Sequence, residues 1–275
     1  MMVNTTHSPS APPLPVVETI TKAVTFVWQQ RNEFLTLAFP AILVLSVLNT
    51  GVALFLLPDN PQAGSTDAEQ LQAAVQAGIL PLLILILPFG FFWTTFAIAW
   101  HRKYLLPKEQ ATVNEILTWR SRHTRFLLYA IGLTFATAVV LVAGLSVAAF
   151  APVLLVLVLA GAVVVYARLS QVLPSAAIDH GLSFGGSWAL TRGHTGRLFA
   201  VIAATWFPMA VLVSLFQRIM LLLLGGSDGF MAIFVRAFVG NVIGYLAVAV
   251  GVSVLSLVYD HLRVGQPPRV DLQIF

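Results

Sequence analysis

The 275-residue sequence has no cysteine and very little charge. The absence of cysteine excludes disulfides, thiolate nucleophiles, iron–sulfur clusters and cysteine-based zinc sites. Charged residues make up only 9% of the chain and hydrophobic residues 58%, whereas a soluble domain carries about 25% charged residues. Because so few charges cannot cover a water-facing surface, the composition predicts an all-α integral membrane protein.

The N-terminal 15 residues lack the pattern of a cleavable signal peptide, since no positive charge precedes an apolar core. They are polar and rich in proline, which predicts a disordered cytoplasmic arm. A single six-helix transmembrane domain is expected over 16–265, and a cytoplasmic tail over 266–275. The net charge of +4 lies beside apolar runs, which favours membrane orientation over nucleic-acid binding as its explanation.

Long apolar runs predict six transmembrane helices. A helix needs about 20 apolar residues to cross a hydrocarbon core of ~30 Å. The run at 126–167 is long enough for two spans, with a turn near Pro152 because proline disfavours helix at the preceding residue. The other spans are expected within 34–58, 78–100, 198–224 and 230–259.

Lysine and arginine positions predict how the chain crosses the membrane. With both termini on the cytoplasmic side, all of the 15 basic residues except Arg218 and Arg236 lie inside. This asymmetry follows the positive-inside rule and predicts a multi-pass protein of the bacterial inner membrane. Arg218 and Arg236 are then expected at the outer interface. We favour separate extension of each side chain to the headgroups over binding of one lipid phosphate by both arginines.

The chain also repeats one plan, in which a short amphipathic helix on the cytoplasmic side precedes each of three helical hairpins. The second such helix is expected to begin at the capping-box pattern Thr112 to Glu115, and the third near Ser183. The first has an apolar face formed by Val17, Ile20, Val24, Val27 and Trp28.

The polar stretch from Arg168 to Arg197 interrupts the apolar runs of the second half of the chain. Pro174 is expected to start a short helix that Gly181 ends. Ser183 is expected to cap a second helix running through Leu190 and ended by Gly193, with Phe184 and Trp188 dipping into the interface. Asp179 is expected to form a partly buried ion pair with Arg168 or Arg192.

Two sets of residues are candidates for binding. Gly240 and Gly244 have the small-residue spacing that permits close helix approach, so they are candidates for contact with a second copy or a partner membrane protein. Asn241 beside them is expected to add an interhelical hydrogen bond. The basic residues of the cytoplasmic face are candidates for contact with anionic lipids or a partner: Arg102, Lys103, Arg120, Arg122, Arg125, Arg192 and Arg197.

The sequence predicts no catalytic, cofactor or metal-binding residue. Five of the six histidines fall at the cytoplasmic face, but no two have the i, i+4 spacing of a helical metal site. Residues 181–185 match the pattern G-x-S-x-G, yet membrane helices flank them where a nucleophile elbow needs a strand and a helix. No Asp, Glu or His is expected in the middle of a span, which weakens the case for an ion-coupled transporter.

The central stretch resembles a group of bacterial six-helix membrane proteins, the YciC type and the membrane domain of some glycerophosphodiester phosphodiesterases. Arg168, Pro174, Asp179 and the segment 187–193 match the group's Arg, Pro, acidic residue and S-W-x-L-T-x-G-like motif. The ending 259–264 looks like the group's Y-x-D-L-R pattern, with a histidine inserted. The likeness covers about 50 residues. It implies a membrane module without the catalytic phosphodiesterase domain.

These observations favour a non-enzymatic inner-membrane protein, a lipid-facing scaffold or accessory module. Two alternatives stay open, a small-solute or lipid transporter or flippase, and a membrane-embedded enzyme. An uncharged span interior favours the scaffold, a buried polar cavity favours the transporter, and histidine and aspartate side chains that converge favour the enzyme.

Overall fold

A computed structural model describes residues 14–55, 67–107, 117–148, 151, 153–224 and 229–264. The regular structure of these residues is α-helical. The helices, labelled α1 to α9 in chain order, are Val16–Gln29, Arg31–Phe55, Asp67–Leu105, Ser121–Ala148, Leu154–Leu169, Val172–Ala177, Phe184–Leu190, Thr195–Leu224 and Phe230–Val264.

Six stretches of the described chain are helical, long and apolar enough to cross a membrane. They are α2, the second half of α3 (Ile84–Leu105), α4, α5 together with α6, α8 and α9. The prediction of six membrane-spanning helices is thus confirmed at the level of length and composition. The terminal arm and tail, the capping box at Thr112 and the turn at Pro152 fall mostly or wholly outside the described residues.

Helix α9 lies at the centre of the bundle. It packs against α1, α2, α3 and α8. In its most apolar segment, 67% of the residues are buried inside the protein, compared with 17% in the corresponding segment of α4. Helix α2 is 44% buried and the α3 span 50%, whereas α5 and α8 are 28% and 22% buried. The core is therefore formed by α2, α3 and α9, and the other three spans expose most of their apolar surface.

Aromatic side chains fill this core. Phe96 and Trp100 of α3 stack with ring centroids 5.7 Å apart, and Phe34 of α2 meets both rings edge-on. The Trp100 indole nitrogen donates a hydrogen bond of 2.9 Å to the hydroxyl of Ser253 on α9. Aromatic packing and one buried polar contact together fix α3 against its two neighbours.

Helix α1 packs on the bundle through small side chains, and most of its predicted apolar face lies outside this contact. Its buried residues are Thr19, Ala23 and Val27, whereas Val17 and Trp28 of the predicted face are 77% and 71% exposed. The small side chains of Thr19 and Ala23 permit a close approach to α8 and α9, which α1 contacts. The large apolar residues are left on an adjoining arc, as expected for a helix that also meets lipid.

Helix α6 is short but wholly enclosed. All six of its residues are buried, and it contacts α3, α4 and α9. The first part of the polar stretch thus enters the bundle, whereas Trp188, Arg192 and Arg197 of its second part are exposed. This burial brings the residues after α6 next to the ends of α3 and α4.

Candidate functional site

The site begins where α6 ends. The amide of Asp179 donates to the Ala176 carbonyl and the amide of His180 to the Ser175 carbonyl, which is the hydrogen-bond pattern of a Schellman motif. Asp179 takes the left-handed position of this motif, with φ of 60°. The helix therefore starts two residues before Pro174 and ends before Asp179, and the prediction that Gly181 ends it was wrong. Aspartate substitutes for glycine because its short polar side chain tolerates this conformation.

Two arginines from different spans share the Asp179 carboxylate. Arg102 at the end of α3 and Arg122 at the start of α4 each place a guanidinium nitrogen 3.5 Å from one Asp179 oxygen. Arg102 also donates a hydrogen bond of 3.1 Å to the carbonyl of Ala177, which caps the last turn of α6. The expected pairing of Asp179 with Arg168 or Arg192 was wrong, because the α6 turn points the carboxylate towards α3 and α4.

Arg168 joins α5 to α7. Its guanidinium donates to the Trp188 carbonyl at 2.6 Å and to the Thr191 hydroxyl at 3.3 Å, and it lies 3.6 Å from the centre of the Trp188 ring. In return, the Ser187 hydroxyl donates to the Arg168 carbonyl at 2.6 Å. Residues 168, 187, 188 and 191 of the motif are thus brought into one contact.

The predicted start and end of α7 are confirmed, and the contact of Phe184 and Trp188 with the membrane interface stays a prediction. The Ser183 hydroxyl accepts a hydrogen bond of 3.1 Å from the Gly186 amide, so Ser183 is the N-cap. The helix runs to Leu190, and Gly193 has the positive φ of 85° that favours glycine. Trp188 is 41% exposed, and Phe184 packs edge-on against Tyr129 of α4 with centroids 5.4 Å apart.

We call Arg102, Arg120, Arg122 and Asp179 the arginine cluster. The three arginines line one small cleft together with the buried ring of His123. The side chains of Arg102 and Arg122 are 13% and 18% exposed, whereas that of Asp179 is 50% exposed. The Asp179 carboxylate pairs with Arg102 and Arg122, and Arg120 adds a third positive charge at the same cleft, so the cluster has an excess of positive charge.

The other predicted basic residues divide into two kinds. Arg120, Arg125, Arg192 and Arg197 are exposed. Lys103 is instead held within the protein, because its ammonium lies 2.6 Å from a carboxylate oxygen of Glu33 at the start of α2. The sequence analysis used Glu33 only as the boundary of a span and missed this contact between α2 and α3.

Two of the histidines expected at the interface are buried. The His101 Nδ1 lies 2.7 Å from the Ser256 hydroxyl, and the His123 Nδ1 accepts a hydrogen bond of 3.0 Å from the Arg120 amide. His194 lies just before α8, and burial, followed by the charges of His261 and Arg197, lowers its pKa below the ordinary value. In the described part of the chain, no three His, Asp or Glu side chains are grouped so that they could hold a metal ion.

We call the end of the bundle with the arginine cluster the basic end, and the end with Arg218 and Arg236 the opposite end. Each of these two arginines lies six residues from the nearer end of its helix, or ~9 Å along the axis. Arg236 lines a cavity between α2, α8 and α9, whereas the exposed Arg218 lies in a groove along α8. They therefore lie on different surfaces, and their position at an outer membrane interface stays a prediction.

Asn241 makes the interhelical contact that its position predicted, since its amide donates to the Ser46 hydroxyl of α2 at 3.0 Å. A Cβ atom on Gly240 or Gly244 would meet no described atom within 4 Å. Gly251 does permit a close approach, because the Trp206 ring lies 3.1 Å from the position of its Cβ. A role for Gly240 and Gly244 in contact with a second copy stays a prediction.

A comparison of the chain with family models, curated proteins and solved structures found no match. The resemblance to the YciC type and to the phosphodiesterase membrane domain therefore stays a prediction. The function has to be argued from the geometry of the site.

Proposed function

We propose that this protein is a non-enzymatic membrane scaffold or accessory module that binds anionic lipid headgroups at its basic end, on the cytoplasmic side of a bacterial inner membrane. The observation that carries the proposal is the half-exposed Asp179 carboxylate shared by Arg102 and Arg122. Two converging guanidinium groups can bind a phosphate through several charge-assisted hydrogen bonds.

The charge of the cluster supports a negatively charged ligand. A single carboxylate does not neutralise Arg102, Arg120 and Arg122, and further exposed arginines lie nearby at the start of α4 and around α7. The cytoplasmic leaflet supplies anionic headgroups, which attract basic segments by about 1 kcal/mol for each Lys or Arg near the surface. Arg120 is exposed, and Arg102 and Arg122, although largely buried, both contact the half-exposed Asp179 carboxylate.

The architecture around the cluster supports a binding role rather than a catalytic one. Helix α6 is fully buried, Arg102 caps it, and Arg168 ties α5 to α7. Arg102 and Arg122 themselves lie on separate helices, and their largely buried side chains both pair with Asp179. A fixed pair of cations suits a site that holds a headgroup in place.

The test is lipid binding by the purified full-length protein in neutral detergent, followed by native mass spectrometry. We expect the double variant Arg102→Gln/Arg122→Gln to bind dioleoyl-phosphatidylglycerol about tenfold more weakly than the wild type, since hydrogen bonds to charged groups contribute roughly 1.5–3 kcal/mol each. The matched control is Arg192→Gln/Arg197→Gln, which removes the same charge from exposed positions. Equal losses in both double variants would mean that the whole basic surface, and not the cluster, attracts the lipid.

A protein partner is distinguished in the same experiment. If the acidic surface of a partner were the true ligand, the cluster variants would bind phosphatidylglycerol as the wild type does. Retention of the lipid by Arg102→Gln/Arg122→Gln would therefore reject the headgroup proposal.

A second candidate, a lipid or small-solute transporter, is favoured by polar groups inside the bundle. The cavity at the opposite end contains Asn49 and Gln217, and the buried atoms Thr94 Oγ1, Tyr245 Oη and His101 Nε2 have no hydrogen-bond partner among the described residues. Buried polar groups without partners are unusual and call for an explanation.

The test of transport is reconstitution into vesicles with fluorescent phosphatidylglycerol. Loss of fluorescence in both leaflets on adding dithionite would support transport, and protection of the inner leaflet would reject it.

A further inference from the structure

The cavity at the opposite end has the size of a ligand site. It measures about 770 Å³ and lies between α2, α8 and α9, within the range of roughly 300–1,000 Å³ that small-molecule sites occupy. Its lining includes Asn49, Phe216, Gln217, Ile233, Arg236 and Gly240. It is separated along the helices from the arginine cluster and does not depend on the function proposed for that cluster.

Each of the three helices contributes one polar side chain to this cavity, Asn49 from α2, Gln217 from α8 and Arg236 from α9. Of the lining residues that the structure describes, Arg236 alone carries a full charge, and none is acidic. A guanidinium has five N–H donors, so Arg236 can bind an anion while keeping a contact within the protein. Asn49 and Gln217 supply further donors for the oxygens of that anion.

The rest of the lining is apolar. Leu54, Phe216, Met220 and Ile233 form walls from all three helices. Gly240 has no side chain, and a Cβ atom there would meet open space. An apolar chain attached to the anion would therefore find a surface to cover, which is the arrangement expected of sites for amphiphiles.

A hydrogen bond joins two of the lining helices near the cavity. Asn241 follows Gly240 on α9, and its hydrogen bond of 3.0 Å to the buried Ser46 joins α9 to α2 one turn from Asn49. This bond holds α2 and α9 together next to Gly240, which lines the cavity.

We propose that this cavity binds an anionic phospholipid, with the phosphate on Arg236, Asn49 and Gln217 and part of an acyl chain along the apolar walls. Arg236 lies only ~9 Å from the end of α9, which matches the headgroup level of a helix that crosses the bilayer. A bidentate guanidinium–phosphate contact gives orientation as well as affinity.

Two pairs of matched variants test the site in the full-length protein. Arg236→Gln removes the charge, and its control is Arg218→Gln, at the same distance from its helix end but outside the cavity. Gly240→Leu fills the cavity, and its control is Gly244→Leu, one helical turn further on, where a Cβ atom also meets open space.

Delipidated protein in neutral detergent would be titrated with dioleoyl-phosphatidylglycerol, dioleoylglycerol and glycerol 3-phosphate, with binding followed by native mass spectrometry. Arg236→Gln should weaken phosphatidylglycerol binding at one site about tenfold, since a charge-assisted hydrogen bond is stronger than the 1.4 kcal/mol that corresponds to a factor of ten. Gly240→Leu should weaken binding at the same site because the leucine side chain occupies the space of the ligand. Both controls should bind as the wild type does. Dioleoylglycerol should bind more weakly than phosphatidylglycerol because it lacks the phosphate.

Each other outcome rejects the proposal. Wild-type binding by both Arg236→Gln and Gly240→Leu would show that the lipid binds elsewhere. Glycerol 3-phosphate binding as tightly as phosphatidylglycerol would show a site for a small soluble anion. Because the variants of the arginine cluster leave this cavity intact, failure here and failure of the proposed function are measured separately. If Gly240→Leu lowers the thermal stability, the Arg236 pair still decides the question.

Discussion

The two ends of the helical bundle are built differently. At the basic end, α1, α6 and α7 pack among the spans, and side chains join α2 to α3, α3 to α6 and α5 to α7. At the opposite end, the described parts of α2, α8 and α9 line a cavity of about 770 Å³, and Asn241 of α9 donates to Ser46 of α2 near it. Substitutions of the side chains that join helices at the basic end should therefore lower stability, whereas substitutions of residues that line the cavity should lower it less.

The largest effect is expected from Trp100→Ala. The Trp100 side chain is fully buried, contacts three aromatic rings and donates to Ser253. Its loss should lower the free energy of unfolding by about 3–5 kcal/mol, measured by titration with a denaturing detergent. The comparator is Phe216→Ala at the opposite end, whose ring already faces the cavity. If Phe216→Ala lowered the free energy of unfolding as much as Trp100→Ala, the two ends would not differ in how tightly they are packed.

Arg168→Gln tests the link between α5 and α7. It removes a charge-assisted hydrogen bond of 2.6 Å and the stacking of the guanidinium on Trp188, so we expect a loss of about 1.5–3 kcal/mol. The exposed Arg192→Gln is the matched control and should change stability by less than about 0.5 kcal/mol. Similar thermal stabilities for the two variants would show that Arg168 does not hold α7.

The backbone at Asp179 gives a smaller and more specific effect. Asp179→Gly and Asp179→Ala both remove the carboxylate, but only glycine adopts the φ of 60° without steric strain. The glycine variant should therefore be more stable than the alanine variant by about 1 kcal/mol. Equal melting temperatures in detergent would mean that the Schellman turn is not maintained in the protein.

The smallest effect is expected from pH. Burial and the neighbouring positive charges lower the pKa of His194 from its ordinary value of 6.5, so the folded protein favours the neutral ring. The resulting stability is complete above that value and is lost as the pH falls below it, because the unfolded chain binds the proton first. Thermal stability should fall between pH 7.5 and 5.5, and His194→Gln should make this fall shallower. If thermal stability fell with pH as steeply in His194→Gln as in the wild type, His194 would not be the source of the pH dependence.

Features encoded over a few neighbouring residues could be predicted from the sequence. The spans follow from the length of apolar runs, and the prediction at 34–58 corresponds to α2 at Arg31–Phe55. The Ser183 cap and the turn at Gly193 depend on the local backbone, so residue type alone indicates them. The contact of Asn241 with another helix follows from the need of a polar amide in an apolar span for a partner.

Contacts that depend on packing could not be predicted in the same way. The partners of Asp179 lie 77 and 57 positions earlier in the chain, at Arg102 and Arg122, and the burial of α6 decides which arginines meet it. The buried face of α1 contains Thr19 and Ala23 because close helix approach favours small residues over larger apolar ones. His101 resembles an interfacial residue in the sequence, but a hydroxyl on α9 gives it a partner in the core.

The most direct test of the central claim is the response of lipid binding to Asp179→Asn. If Asp179 occupies the place that an anionic headgroup takes between Arg102 and Arg122, the neutral side chain should let the protein bind phosphatidylglycerol more tightly, while Arg102→Gln binds it more weakly. The affinities would be measured by native mass spectrometry in the same detergent. Changes of opposite sign are the predicted result, and weakening of similar size in both variants would contradict the account.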